Sequence, residues 1–143
     1  MPSNGGLGYA AFALAMTVGR LAGDAVVRQL GSVLVVVIGS LCAAPGLSLA
    51  VLCPIWVAGI LGFGLVGIGC SNIVPVLYTA VGRQKIMPEH TAVPAITTLG
   101  YAGILAGPAA IGFAAQITTL SGAFLAVGLL LVGVAASGRL LRV

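Results

Sequence analysis

The chain has 143 residues, 60% of them hydrophobic, and its eight charged side chains (six Lys or Arg, two Asp or Glu) are too few to cover a water-facing surface. With 6% charged residues against about 25% in a soluble domain, a mean hydropathy of +1.24 and three Cys, a water-soluble enzyme, a disordered chain and a disulfide-stapled domain are excluded. The net charge of +4 does not point to nucleic acid, because the basic residues sit in short islands between apolar runs rather than on one solvated face.

In chain order, no Lys, Arg, Asp, Glu or His precedes Arg20, so the first apolar run predicts a helix over about 5–23. It lacks the positive leading segment of a signal peptide and reads as a retained span. The first island is Arg20, Asp24 and Arg28. Residues 29–82 are uncharged, 54 in all, which is room for two helices and a turn. A break near Leu49 to Pro54 puts Pro54 in a first helical turn and predicts helices over about 32–51 and 54–81. The second island is Arg83, Lys85, Glu89 and His90. The next uncharged run, 91–138, divides at Thr118, Thr119, Ser121 and Gly122 into helices over about 91–116 and 121–138. Arg139 and Arg142 close the chain and are expected to anchor it at an anionic leaflet.

The expected fold is therefore all-α: a polytopic membrane protein of five transmembrane helices forming one transmembrane domain over 1–143. Five alternating helices place all six Lys and Arg on one side. The positive-inside rule makes that side cytoplasmic, with the N-terminus outside. The expected location is a bacterial inner membrane and the expected surroundings are the lipid bilayer. No cofactor, metal site or nucleic-acid partner is expected, and no nucleophile or acid–base pair for an enzyme can be assembled. Cys42, Cys53 and Cys70 read as small apolar fillers.

Polar content suggests which helices face protein. The second and fifth spans have few polar atoms and are expected at the periphery. The third carries Ser71, Asn72, Tyr78 and Thr79, the fourth Thr97, Thr98, Tyr101 and Gln116, and both are expected inside. Gly19-x-x-x-Gly23 and Gly103-x-x-x-Gly107 have the spacing of close helix contacts, and the glycines of the third span form a low-friction surface. Pro75 and Pro108 each deprive a carbonyl four residues back of its helical partner, so a kink or local unwinding is expected at both. Asn72 lies beside the first of these, roughly 16 Å from the charged end at about 1.5 Å per residue. An amide at a mid-membrane break is either a solute contact or a brace for the kink.

These residues carry a family resemblance. Gly19-Arg20-Leu-Ala-Gly23-Asp24-Ala-Val-Val-Arg28-Gln-Leu-Gly31 resembles the G-x-x-x-x-D-R-x-G-R-R loop motif of the major facilitator superfamily of transporters. The immediate D-R pair and the terminal R-R are absent, as in the degenerate second copy between helices 8 and 9. Gly103-Ile-Leu-Ala-Gly107-Pro108 is similar to the glycine–proline motif of helix 5, whose pseudo-symmetric partner is helix 11. The resemblance implies that the five spans correspond to helices 8 to 12 of the C-terminal half, with the N-terminal helices missing from the chain. It implies alternating-access transport of a small solute, with the fragment inactive alone.

Within that reading Gly19, Arg20, Asp24 and Arg28 form a conformational latch, Asp24 meeting the N-terminus of the fourth span near Glu89 to Thr91. Asn72 is the first candidate for solute contact, followed by Thr97, Thr98 and Tyr101 on one face of the fourth span; such groups suit a polar uncharged or weakly charged solute such as a sugar. The threonines could equally bond their own helix. Pro75, Gly103, Gly107 and Pro108 are the kink and packing residues. The rival readings are a small membrane subunit or interaction partner, and a non-functional remnant of a truncated gene.

Overall fold

The computed structural model describes residues 4–141, and every regular element among them is helical. In order these are α1 (Asn4–Leu21), α2 (Gly23–Leu30), α3 (Ser32–Leu52), α4 (Trp56–Cys70), α5 (Ile73–Arg83), α6 (Glu89–Ile117) and α7 (Leu120–Ser137), followed by one 3₁₀ turn (Gly138–Leu141). Arg142 lies outside the described residues, as does the side chain of Arg139. Four helical stretches are long and apolar enough to cross a bilayer: Ser32–Leu52, Trp56–Arg83, Glu89–Ile117 and Leu120–Ser137. The pair α1 and α2, bent by 60° at Ala22, passes the same test when taken together, which gives five spans if the pair is counted as one. The protein is an all-α polytopic membrane protein.

The turns follow local chemistry. Gly31 joins α2 to α3 with φ at 80°, a left-handed conformation that costs glycine nothing. Between α5 and α6 the side chain of Gln84 substitutes for a backbone turn: its Oε1 accepts from the Ile86 and Met87 N–H groups, both at 2.9 Å. Thr119 caps α7, its Oγ1 accepting from Gly122 N at 3.0 Å.

Glycine sets the helix packing. On α4, Gly62 and Gly69 lie two turns apart and so on one face. A Cβ on Gly69 would strike the Gly39 carbonyl of α3, and one on Gly39 the Gly69 carbonyl. Gly46 and Gly62 meet in the same reciprocal way. The two pairs run in opposite order, so α3 and α4 are antiparallel with their backbones in contact. A different face of α4 meets α1: a Cβ on Gly67 would strike the Phe12 carbonyl, and one on Gly19 the Ser71 hydroxyl. Here residue numbers rise together, so α1 and α4 are parallel. Helix α4 is thus held between α1 and α3. Helix α7 lies along α3, and α6 joins the bundle through α5 and α7. At the charged end, Val35 and Val36 of α3 and Val76 of α5 form a buried cluster with Val26 and Val27 of α2 and Val134 of α7 around it.

Two expectations need correction. The second span was expected at the periphery, yet α3 is the most enclosed helix, burying Val35, Val36, Ser40, Ala43, Ala44, Gly46 and Leu47. The fourth span was expected inside; within this chain alone the most apolar stretch of α6 has no buried residue and its glycine face is open. In lipid, helices associate through close van der Waals contact, so small residues outweigh polar ones in choosing neighbours. Expected unwinding at Pro108 is also absent, since α6 runs uninterrupted through Pro94 and Pro108. The third span does break, at Ser71 and Asn72, leaving Pro75 in the first turn of α5, where its missing N–H has no partner to lose.

Glycines on one helix should therefore differ sharply in tolerance. Nothing lies within 4 Å of a Cβ on Gly64. Gly69→Ala is expected to lower stability by about 1–3 kcal/mol through overpacking, and Gly64→Ala to change it by no more than about 0.5 kcal/mol. Reversible unfolding in mixed micelles measures both; equal effects would show that the backbone contact does not set the packing.

Candidate functional site

The residues expected to meet solute divide into two places. Thr97 and Tyr101 are one turn apart on α6 and share a face. Opposite them α5 brings Tyr78, whose hydroxyl lies 2.8 Å from Thr97 Oγ1. Thr97 Oγ1 donates its only proton to the Val93 carbonyl at 2.8 Å, so Tyr78 is the donor of the pair. The Tyr78 oxygen keeps its own lone pairs free to accept a further bond. Together these side chains line a cleft of about 550 Å³ whose remaining walls include Val74, Leu77 and Ile104. No charged side chain lines it. Tyr101 is 64% exposed within the chain.

Thr98 does not share this cleft; its Oγ1 donates to the Pro94 carbonyl at 2.8 Å, its own helix. Asn72 is turned the other way. Its Nδ2 donates to the Gly19 carbonyl of α1 and to Ser71 Oγ, both at 3.1 Å. With both amide protons used, it borders a separate cavity of about 300 Å³ alongside Gly19, Ala22, Val26 and Cys42. Tyr78 is the residue that sequence reasoning left out of the site. Its polar character was visible, but nothing in the sequence shows that it faces Thr97, nineteen positions on.

The latch residues lie at the charged end. Arg20, Asp24 and Arg28 are all exposed. The bend at Ala22 takes Arg20 off the helix that carries Asp24 and Arg28. Helix α2 packs chiefly on α3, with its valines inward, while α6 begins after Pro88 with no side-chain cap on its free N–H groups. Gly103 and Gly107 have nothing within 4 Å of a Cβ, and the same holds for Gly100. The glycine face of α6 is therefore open in this chain, unlike that of α4. Among the described residues no three His, Cys, Asp or Glu side chains gather to hold a metal.

The Tyr78–Thr97 bond ties α5 to α6 across a joint with few other contacts. A double-mutant cycle of Tyr78→Phe and Thr97→Val is expected to give a coupling of about 0.6 kcal/mol, typical of such bonds in membranes. Thr98→Val with Tyr78→Phe should be additive, and coupling there would contradict the arrangement.

No family model matches the chain and no solved structure matches it. Among curated proteins, the chain is 58% identical over 138 residues to an uncharacterized MFS-type transporter of Yersinia pestis, which covers 96% of the chain and 36% of that protein. It is 32% identical over 121 residues to the membrane protein MosC of Rhizobium meliloti, covering 85% of the chain and 30% of MosC. It is also 32% identical over 127 residues to an uncharacterized transporter of Sinorhizobium fredii, covering 89% of the chain and 34% of the relative. By sequence the chain is similar to a protein named as an MFS-type transporter, of the major facilitator superfamily, and to two further membrane or transporter proteins, and it spans about a third of the length of the relatives it matches.

Proposed function

We propose that the chain is part of the C-terminal half of a transporter that moves a small solute by alternating access, its spans corresponding to helices 8 to 12. The observation that carries this reading is the 58% identity to an MFS-type transporter across nearly the whole chain. The cleft between α5 and α6 would be one wall of the solute path, with Tyr78, Thr97 and Tyr101 supplying neutral hydrogen-bonding groups on an otherwise apolar surface. Such a wall suits an uncharged solute. Asn72 and Thr98, whose protons are spent inside the protein, fall outside that wall.

The remaining helices of the transporter are the partner. The open row of Gly100, Gly103 and Gly107 on α6 supports a helix seated there, since such a row lets two backbones approach. Asp24 is proposed to engage the uncapped N-terminus of α6 in one access state, an anion held by free N–H groups and the helix dipole. The charge islands favour an inner-membrane protein with this end in the cytoplasm.

One accessibility experiment tests these points, with the chain replacing the matching segment of the Yersinia pestis relative and its native cysteines replaced by Ala. Tyr101→Cys should react with a membrane-impermeant maleimide, and Leu129→Cys on the exposed face of α7 should not. Lys85→Cys should react only from the cytoplasmic side. Adding Asp24→Asn should raise the rate at Tyr101→Cys from that side severalfold. An unreactive Tyr101→Cys would remove the cleft from the solute path, and an unchanged rate would remove the latch. The 143-residue chain alone should give no counterflow in liposomes.

A further inference from the structure

Two helix discontinuities lie side by side in this bundle. The bend at Ala22 separates α1 from α2, and the break at Ser71 and Asn72 separates α4 from α5. Asn72 occupies the capping position of α5, where an Asn side chain ordinarily accepts from the first N–H groups of its own helix. It makes no such bond. Instead its amide reaches across to α1, donating to the Gly19 carbonyl at 3.1 Å, one turn before the bend. Its Oδ1 lies over Gly23 at the start of α2, in the space a Cβ would fill. One amide therefore touches both arms of the bend while belonging to the break.

Its neighbours fix it there. Ser71 is fully buried, donates to the Ile68 carbonyl at 2.7 Å and accepts from Asn72 Nδ2. The Ser71 side chain fills the space beside Gly19, so neither Gly19 nor Gly23 can carry a larger residue without displacing this group. Beyond the clasp, α2 and α5 meet the same partners, Val26 and Val27 packing on the cluster that holds Val76.

We propose that Asn72 clasps the bend and the break into a single hinge, so that α2 and α5 swing together relative to α1 and α4. The side chain acts as a positioning residue between two helices. Two breaks at one depth would otherwise be independent sources of motion, and coupling between them must be reciprocal. A change made at α5 should then loosen α2, and a change made at α2 should loosen α5.

The test uses pairs of spin labels attached by non-cysteine chemistry to the full chain in liposomes. One pair, at Leu14 and Gln29, spans the bend; the other, at Leu61 and Thr79, spans the break. In the unmodified chain both distance distributions should be narrow. Asn72→Ala should broaden both at least twofold, including the bend, which contains no mutated residue. Gly23→Ala, which displaces the Asn72 amide from the other side, should broaden the break. Gly133→Ala on α7, where nothing lies within 4 Å of a Cβ, should leave both pairs unchanged. The proposal is overturned if Asn72→Ala broadens only the break, or if Gly23→Ala broadens only the bend. For a variant that does not insert, the unmodified chain gives the reading: on warming, both distributions should broaden over the same temperature range, and separate ranges would overturn the hinge.

Discussion

Helix α4 touches its neighbours with backbone on two sides. A helix in lipid gains little by hiding leucine, because lipid tails are as apolar as leucine itself. What it can gain is closeness, and closeness requires the absence of side chains. Gly62 and Gly69 provide this toward α3, and Gly67 toward α1. The direction of each neighbour, the enclosure of α3 and the meeting of Ser71 with Gly19 all depend on these contacts. Helix α6 has glycines too, but Gly100, Gly103 and Gly107 face open space. Glycine spacing alone therefore marks a surface capable of close approach without identifying the helix that approaches it.

That distinction explains which parts of the fold were legible in the sequence. The spans were, because a run of apolar residues between charges has few other uses, and the joint at Thr119 carried its own chemistry. Neighbour choice was not. Polar side chains were expected to draw the third and fourth spans inward, yet Thr79, Thr97 and Thr98 each spend their proton on a carbonyl of their own helix. A hydroxyl satisfied in this way exerts little pull on a neighbour. The residues that do choose neighbours, Gly39, Gly46, Gly62 and Gly69, have no side chain to signal a direction.

The candidate site shows the same division. Thr97 and Tyr101 could be placed on one face by spacing alone, and they line one cleft. Asn72 could be placed beside a break, but its orientation depends on α1 lying parallel to α4, which no local pattern encodes. Tyr78 was hidden for the same reason, since its bond to Thr97 crosses from one helix to another. Depth in the membrane can be read along a chain, whereas azimuth around a helix depends on its neighbours.

The sandwiching of α4 also has a consequence for how the protein is made. Helices α1 and α3 are joined by the short α2, yet each makes its most extensive contact with α4. When α1 and α3 leave the ribosome, the α4 surface that each will bury does not yet exist. The third span must enter a gap between two helices already in the bilayer and align with one while opposing the other. Until it arrives, Gly19, Gly39 and Gly46 lack the groups of Ser71, Gly69 and Gly62 that meet them in the bundle. Both helices are thus made before the surface that joins them has been translated.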